Sequence, residues 1–251
     1  MTTFRDYVKP ETLEEAWQLN QKRSCKVMGG MMWLRLGNRT ISKGVDLSGV
    51  LSDRIEENNA YYTLGAMVTL RQLEQHPGLN AFTQNAMADC VKDIVGVQFR
   101  NMATLGGSLY GRFGFSDVLT LFLALHAQVE LYKGGRIPLS EYVGMPYDND
   151  ILTSVVVPKQ NLSVCYQSIR NQATDFPVLT CAVSCVDGEY TAAVGARPGR
   201  AQAVTGPAEG LAQKAMELPF GTNARASAEY RQKMAGVLVR RGLETLTGGE
   251  Q

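Results

Sequence analysis

The sequence predicts an α+β fold. Short strand-like runs bounded by glycine or proline alternate with short amphipathic helical segments, and the last third places three strand runs ahead of two helices. With 251 residues, 45% of them hydrophobic, the chain is long enough for two or three compact units with cores of their own. Lys+Arg number 25 against 24 Asp+Glu, a net charge of +1, so there is no basic face of the kind that nucleic acid or an anionic membrane demands. The longest apolar run, residues 118–125, falls short of a membrane span, and the opening Met1-Thr2-Thr3-Phe4-Arg5-Asp6 has no apolar signal-peptide core. A cytoplasmic location is expected.

The elements follow from pattern. Residues 12–21, apolar at Leu13, Ala16, Trp17 and Leu19, read as a helix after Pro10, and residues 25–28 as the strand that follows, ended by Gly29-Gly30. Residues 45–47 and 61–66 read as two further strands on either side of the polar spacer 53–59, which sets a first boundary between units 1–55 and 56–160. Two helices come next: residues 70–75, stopped by Pro77, and residues 81–95, apolar at Phe82, Ala86, Ala88, Val91, Ile94 and Val95 and closed by Gly96. Ser116-Asp117 opens a helix over 118–127, and a strand over 128–132 leads into the turn Lys133-Gly134-Gly135. The run 150–157, ended by Pro158, closes the central unit. A third unit, 161–251, offers strands at 163–169, 178–186 and 190–195 and helices at 207–216 and 226–246.

Five cysteines, Cys25, Cys90, Cys165, Cys181 and Cys185, are odd in number and irregularly spaced. They read as reduced and mostly buried rather than as a disulfide framework. With only His76 and His126 beside them, no zinc or iron–sulfur ligand set assembles, so a redox metal is expected on another chain.

The most informative features are two glycine pairs entered from apolar stretches, Val27-Met28-Gly29-Gly30 and Ala103-Thr104-Leu105-Gly106-Gly107-Ser108. Adjacent glycines let main-chain N–H groups approach an anion with no Cβ in the way. Two such loops far apart in sequence suggest a fold that clamps one dinucleotide pyrophosphate between them. The third pair, Gly134-Gly135, lies between strand runs and reads as a hairpin turn.

The segment Val95-Gly96-Val97-Gln98-Phe99-Arg100-Asn101-Met102-Ala103-Thr104-Leu105-Gly106-Gly107-Ser108 resembles the FAD-binding, or medium, subunit of the molybdenum hydroxylases. This is the family of xanthine dehydrogenase and carbon monoxide dehydrogenase type, whose pattern there is Gln-x-Arg-Asn-x-Ala-Thr-x-Gly-Gly-Asn. The family carries Ala-Gly-Gly-Thr-Asp in its first loop, where this chain has Met28-Gly29-Gly30-Met31-Met32, and an Asp at a helix start, where this chain has Asp117. Further echoes are Leu64-Gly65-Ala66, Ile137-Pro138-Leu139, the run from Asp150 to Pro158, and Tyr230-Arg231 leading to Val237-Leu238-Val239-Arg240-Arg241. The resemblance therefore runs the length of the chain, in order.

It implies a two-lobed FAD-binding domain, a small N-terminal α/β unit plus a larger central α+β unit, followed by a C-terminal antiparallel sheet with helices. It also implies non-covalent FAD, a small [2Fe–2S] subunit and a large molybdopterin subunit as partners, and electron flow through FAD to an acceptor such as NAD. Carried over, the loop of Met28, Gly29, Gly30, Met31 and Met32 and the loop of Ala103, Thr104, Gly106, Gly107 and Ser108 supply main-chain donors to the pyrophosphate, with the Thr104 hydroxyl assisting. Asp117 then bonds a polar part of the cofactor, and Leu109 and Leu152 lie near the flavin or its ribityl chain. No acid–base catalyst is nominated, because the cofactor carries the redox chemistry. No Gly-x-Gly-x-x-Gly fingerprint is present, so NAD is expected to dock only transiently. Met31, Met32 and Ser108 depart from the family's side chains, but main-chain donors do not depend on side-chain identity. Two other readings stay open: a scaffold subunit with a decayed flavin site, and a stand-alone FAD oxidoreductase.

Overall fold

Residues 1–248 are described by the computed structural model; positions 249–251, the last of the expected third unit, lie outside the described residues. Three separate sheets organise the molecule. The first combines β1 (Thr3–Val8), β2 (Cys25–Met28) and β3 (Thr40–Asp46) in the order β1-β3-β2, all parallel, with α1 (Leu13–Asn20) as the crossover between β1 and β2. Thr12 caps α1 by accepting the Glu15 N–H at 3.1 Å. Strand β1 gave no sequence signal: Thr3-Phe4-Arg5-Asp6-Tyr7-Val8 is an edge strand exposed along most of its length, so it shows no apolar alternation. The expected strand at 45–47 is only the end of β3, which begins at Thr40 because it is paired on both sides. Gly44 on β3 makes room for its neighbours: a Cβ there would lie 2.9 Å from the Met28 methyl and 3.0 Å from the Phe4 ring.

The second sheet is antiparallel. Its strands are β4 (Ile55–Glu57), β5 (Tyr61–Gly65), β6 (Gln128–Leu131), β7 (Gly135–Pro138) and β8 (Leu152–Pro158), in the order β4-β5-β8-β6-β7. Gly134-Gly135 lies in the β6–β7 hairpin as expected, and the Asp150 carboxylate ties the turn by accepting the N–H groups of Lys133 and Gly134. Seven short helices join these strands: α2 (Leu70–Gln75), α3 (Pro77–Phe82), α4 (Ala86–Val91), α5 (Val97–Arg100), α6 (Leu105–Tyr110), α7 (Asp117–Ala124) and α8 (Leu139–Gly144). Three expectations are corrected here. The helix read over 81–95 is two helices, because Gln84 and Asn85 take φ values of 47° and 68° and break it; the Asn80 side chain secures the break by accepting the Ala88 N–H at 2.9 Å. Pro77 does more than stop α2, since it opens α3, with His76 Nδ1 accepting the Leu79 N–H at 3.1 Å. The helix read to residue 127 ends at Ala124, where the chain turns through His126 at φ 52°.

The third sheet, β9 (Leu162–Ile169), β10 (Leu179–Val186), β11 (Glu189–Gly195) and β12 (Gln202–Gly206), is antiparallel in the order β12-β11-β10-β9 and is backed by α9 (Leu211–Met216) and α10 (Ala228–Thr247). β12 is an exposed edge strand that the apolar pattern missed. Helix α10 lies close on β10: a Cβ on Gly242 would come 2.5 Å from Val183 Cγ2. Arg231 on the same helix is fully buried and donates to the carbonyls of Val178, Gly221 and Ala226 and to the Asn223 side chain.

Helix α7 is buried on all sides and joins the second and third sheets. The Thr120 and Thr180 hydroxyls meet at 2.8 Å, and Ser184 donates to the Ala124 carbonyl at 2.7 Å. One continuous core runs from the second sheet through α7 to Tyr166, Ala182 and Ala193 of the third. Glu14 on α1 accepts from Tyr132 and Lys133 at 2.8 and 2.6 Å, which ties the crossover helix of the first sheet to the β6–β7 hairpin of the second. No helix among the described residues is long and apolar enough to cross a membrane.

Candidate cofactor site

The fold brings the first glycine pair against Met102, Ala103 and Thr104, the stretch that leads into the second pair. The first lies just beyond the end of β2. A Cβ on Gly29 would sit 2.9 Å from Thr104 Oγ1, and one on Gly30 would sit 1.6 Å from the Met102 carbonyl oxygen. Only glycine permits this approach of two backbones.

The two loops offer different things. Among the described residues, the N–H groups of Gly29, Gly30, Met31 and Met32 have no protein acceptor. Met31 holds φ 60°, a left-handed turn within that run of free donors, and such turns form concavities for anions. In the second loop the N–H groups are engaged by the fold itself: Leu105 donates to Val68 O at 2.8 Å, Gly106 to Ala66 O at 2.9 Å, Gly107 to Thr104 Oγ1 at 3.2 Å and Ser108 to Thr104 O at 3.0 Å. The sequence suggested two equivalent donor loops; the second pair instead opens helix α6, with Thr104 as its N-cap. Its glycines serve close packing, since a Cβ on Gly106 would lie 2.7 Å from Ala66 O.

The remaining nominated side chains divide by environment. Met28 and Met32 are buried, and Met32 joins Ala103, Leu109 and Leu152 in the central core, so it packs rather than replaces the family's polar contact. The Ser108 hydroxyl turns back to donate to Thr104 O at 2.9 Å. Arg100 of the resembling segment is buried and forks onto Glu74 at 2.8 and 3.2 Å, so the motif's arginine clamps α5 to α2 and takes no part in the loop contact.

Asp117 begins α7 just after its N-cap Ser116, whose hydroxyl accepts the Leu119 N–H at 3.1 Å. Its carboxylate is 5% exposed, accepts from the Tyr166 hydroxyl at 2.5 Å and pairs with Arg170. Burial pushes the Asp117 carboxyl up to about 6, against the opposing pull of Arg170 and Tyr166. The same surroundings, burial first and then Asp117, hold the Tyr166 hydroxyl well above its ordinary range. Arg170 also donates to the Asp175 carbonyl at 2.5 Å. Sequence reading missed Tyr166 on β9 and Arg170 just beyond its end, because neither carries a motif.

It also did not show that Phe113, Phe115 and Phe176 gather around Trp33 beside the first loop. Trp33 lies 4.9 Å from Phe115 and 5.2 Å from Phe113, centroid to centroid, and meets Phe176 edge-on at 5.8 Å. The available signal was Phe113-Gly114-Phe115 between two motif segments.

This arrangement fits a dinucleotide: a run of free main-chain donors beside a glycine contact that any Cβ would close. A family model described as the FAD binding domain in molybdopterin dehydrogenase matches residues 2–160. The chain belongs to that family. Its cofactor is FAD, and the enzymes such subunits serve are molybdopterin-dependent oxidoreductases, as the resemblance implied. The medium subunit of nicotine 6-hydroxylase from Paenarthrobacter nicotinovorans is 28% identical over 94% of both chains. An uncharacterized protein of Escherichia coli K12, YgfM, is 24% identical over 73% of this chain and 71% of its own. In fold the FAD-binding family member resembles a chain of CO dehydrogenase from Oligotropha carboxidovorans, with a TM-score of 0.86 and 20% identity over 98% of each chain.

Proposed function

We propose that this chain is the medium subunit of a heteromeric molybdenum hydroxylase of xanthine dehydrogenase type, located in the cytoplasm. In this reading it holds FAD without a covalent link, in a division of the chain into units 1–55, 56–160 and 161–251. The observation that carries the proposal is the run of unpartnered N–H groups from Gly29 to Met32 packed against Thr104. Charge-assisted bonds from main-chain donors to an anion contribute roughly 1.5–3 kcal/mol each, so a few of them retain a dinucleotide.

Each residue then has a task. Gly29, Gly30, Met31 and Met32 supply donors to the pyrophosphate, and Ala103, Thr104, Gly106, Gly107 and Ser108 shape the opposing wall, with the α6 N-terminus adding a favourable dipole. Leu109 and Leu152, buried in the core, back the site from behind, while Asp117, fixed by Tyr166 and Arg170, presents a polar edge. Bound there, FAD supplies the redox chemistry that couples an iron–sulfur partner to an acceptor such as NAD. The small [2Fe–2S] subunit and the large molybdopterin subunit are the partners this role requires. Nicotine 6-hydroxylase, whose medium subunit is a relative by name, is the kind of assembly meant.

Purification of the complex from its native host tests the reading: flavin absorption, FAD released on denaturation, and molybdenum and iron in the same complex are expected. A folded chain that takes up no flavin overturns it in favour of a scaffold. Flavin without either metal overturns it in favour of a stand-alone oxidoreductase.

A further inference from the structure

Four aromatic rings from three separate stretches of chain meet at the edge of the candidate site. Phe113 and Phe115 stack on each other, 5.3 Å apart and 5° from parallel; Phe176, from the loop between β9 and β10, meets Phe115 at 4.7 Å. Trp33 leans on both stacked rings at interplanar angles of 54° and 49°. An indole with three ring neighbours is fixed in orientation, yet Trp33 remains 43% exposed. A scattered exposed aromatic residue is ordinary. One buttressed so that part of its surface stays open is prepared for another flat, apolar group.

Position identifies the occupant. Trp33 follows the free donors Gly29–Met32 directly and lies within three residues of Gly30, at most about 11 Å along the chain. A five-carbon ribityl chain joins the isoalloxazine of FAD to its pyrophosphate, and this spans a comparable distance. Asp175, whose carbonyl accepts from Arg170, adjoins Phe176, so the aromatic group connects to the buried Asp117–Arg170 pair. We propose that the Trp33 indole is the wall on which the isoalloxazine of bound FAD packs, held in place by Phe113, Phe115 and Phe176. This rests on the FAD site proposed above.

Contact with an indole has a signature independent of turnover, because a tryptophan touching an excited flavin quenches its emission by rapid electron transfer. The chain has two tryptophans, Trp17 and Trp33, and Trp17 packs in the core of the first sheet. FAD is bound to the full-length wild type, Trp33→Phe and Trp17→Phe, and emission yield and lifetime of the bound flavin are measured, with thermal melting as the check on folding. Nearly dark flavin is expected in the wild type and in Trp17→Phe, with a several-fold rise in yield in Trp33→Phe, which keeps an apolar ring but removes the electron donor. In Trp33→Ala, FAD affinity is expected to fall about tenfold, consistent with the loss of one aromatic stack. Equal emission and affinity across all variants, with FAD bound, overturns the role of Trp33 and leaves the FAD site standing. Absence of FAD binding in the folded wild type overturns the FAD site itself.

Discussion

Asp117 is ion-paired and still reluctant to ionise, because removing its charge from water outweighs what Arg170 and Tyr166 return. Its folded value of about 6 lies above the ordinary 3.8. The folded chain therefore retains a proton here that the unfolded chain releases. The associated stability is fully present below about pH 4 and is lost as pH rises through about 6. A carboxyl 13C titration should place the Asp117 midpoint near 6; a midpoint in the ordinary carboxylate range would show that Arg170 compensates its burial in full. At Gly30 the constraint is steric. Gly30→Ala must displace the Met102 carbonyl, which a Cβ would approach to 1.6 Å. A loss of about 1–3 kcal/mol in urea unfolding is expected, together with loss of flavin from the purified chain. Retention of FAD at wild-type affinity would mean that the contact of the two loops is not needed for binding.

Among the elements, α6 depends on Thr104, whose hydroxyl accepts the Gly107 N–H while its side chain lies against Gly29. Thr104→Ala should lower stability by about 1 kcal/mol through the lost cap and weaken FAD as well, whereas Thr104→Ser should keep the cap. Melting curves and FAD titrations of the pair separate the two effects. The break between α3 and α4 rests on Asn85 at φ 68°. Replacement by alanine should cost roughly 1–2 kcal/mol, and replacement by glycine little or nothing, when both are compared by chemical denaturation. The apolar positions of this stretch were legible as helix, but the Gln84-Asn85 break was not, because the polar run Thr83-Gln84-Asn85 is equally compatible with one exposed turn. Strands β1 and β12 escaped notice for a related reason: as exposed edges they need no apolar alternation, and their neighbours' backbones define them.

For the molecule as a whole, the candidate site is made where the turn after β2 meets the stretch leading into α6, and the loop between β9 and β10 closes the aromatic group through Phe176. A ligand at such a junction binds only the assembled form. FAD at about a hundred times its dissociation constant should add about 2.7 kcal/mol of stability. For a chain of this size that corresponds to a rise in Tm of about 5–10 °C, measured by calorimetry on the chain with and without FAD. No change on adding FAD at that concentration would mean that the folded chain does not bind it, and would overturn the site.

The amino-acid sequence by itself determined the α+β class, most of the strands and helices, the family, and the two glycine pairs as the place to look. These are properties of local pattern: periodicity, turn residues and a motif whose spacing is written along the chain. Tertiary structure decided that the first pair packs on the stretch leading into the second, that the first keeps its N–H groups free while the second donates them to the fold, and that Arg100 serves a helix contact. It also brought Tyr166 and Arg170 to Asp117 and Phe176 to Trp33. Hydrogen-bond satisfaction and burial depend on residues remote in sequence, so no single stretch records which donors a neighbouring backbone has already taken.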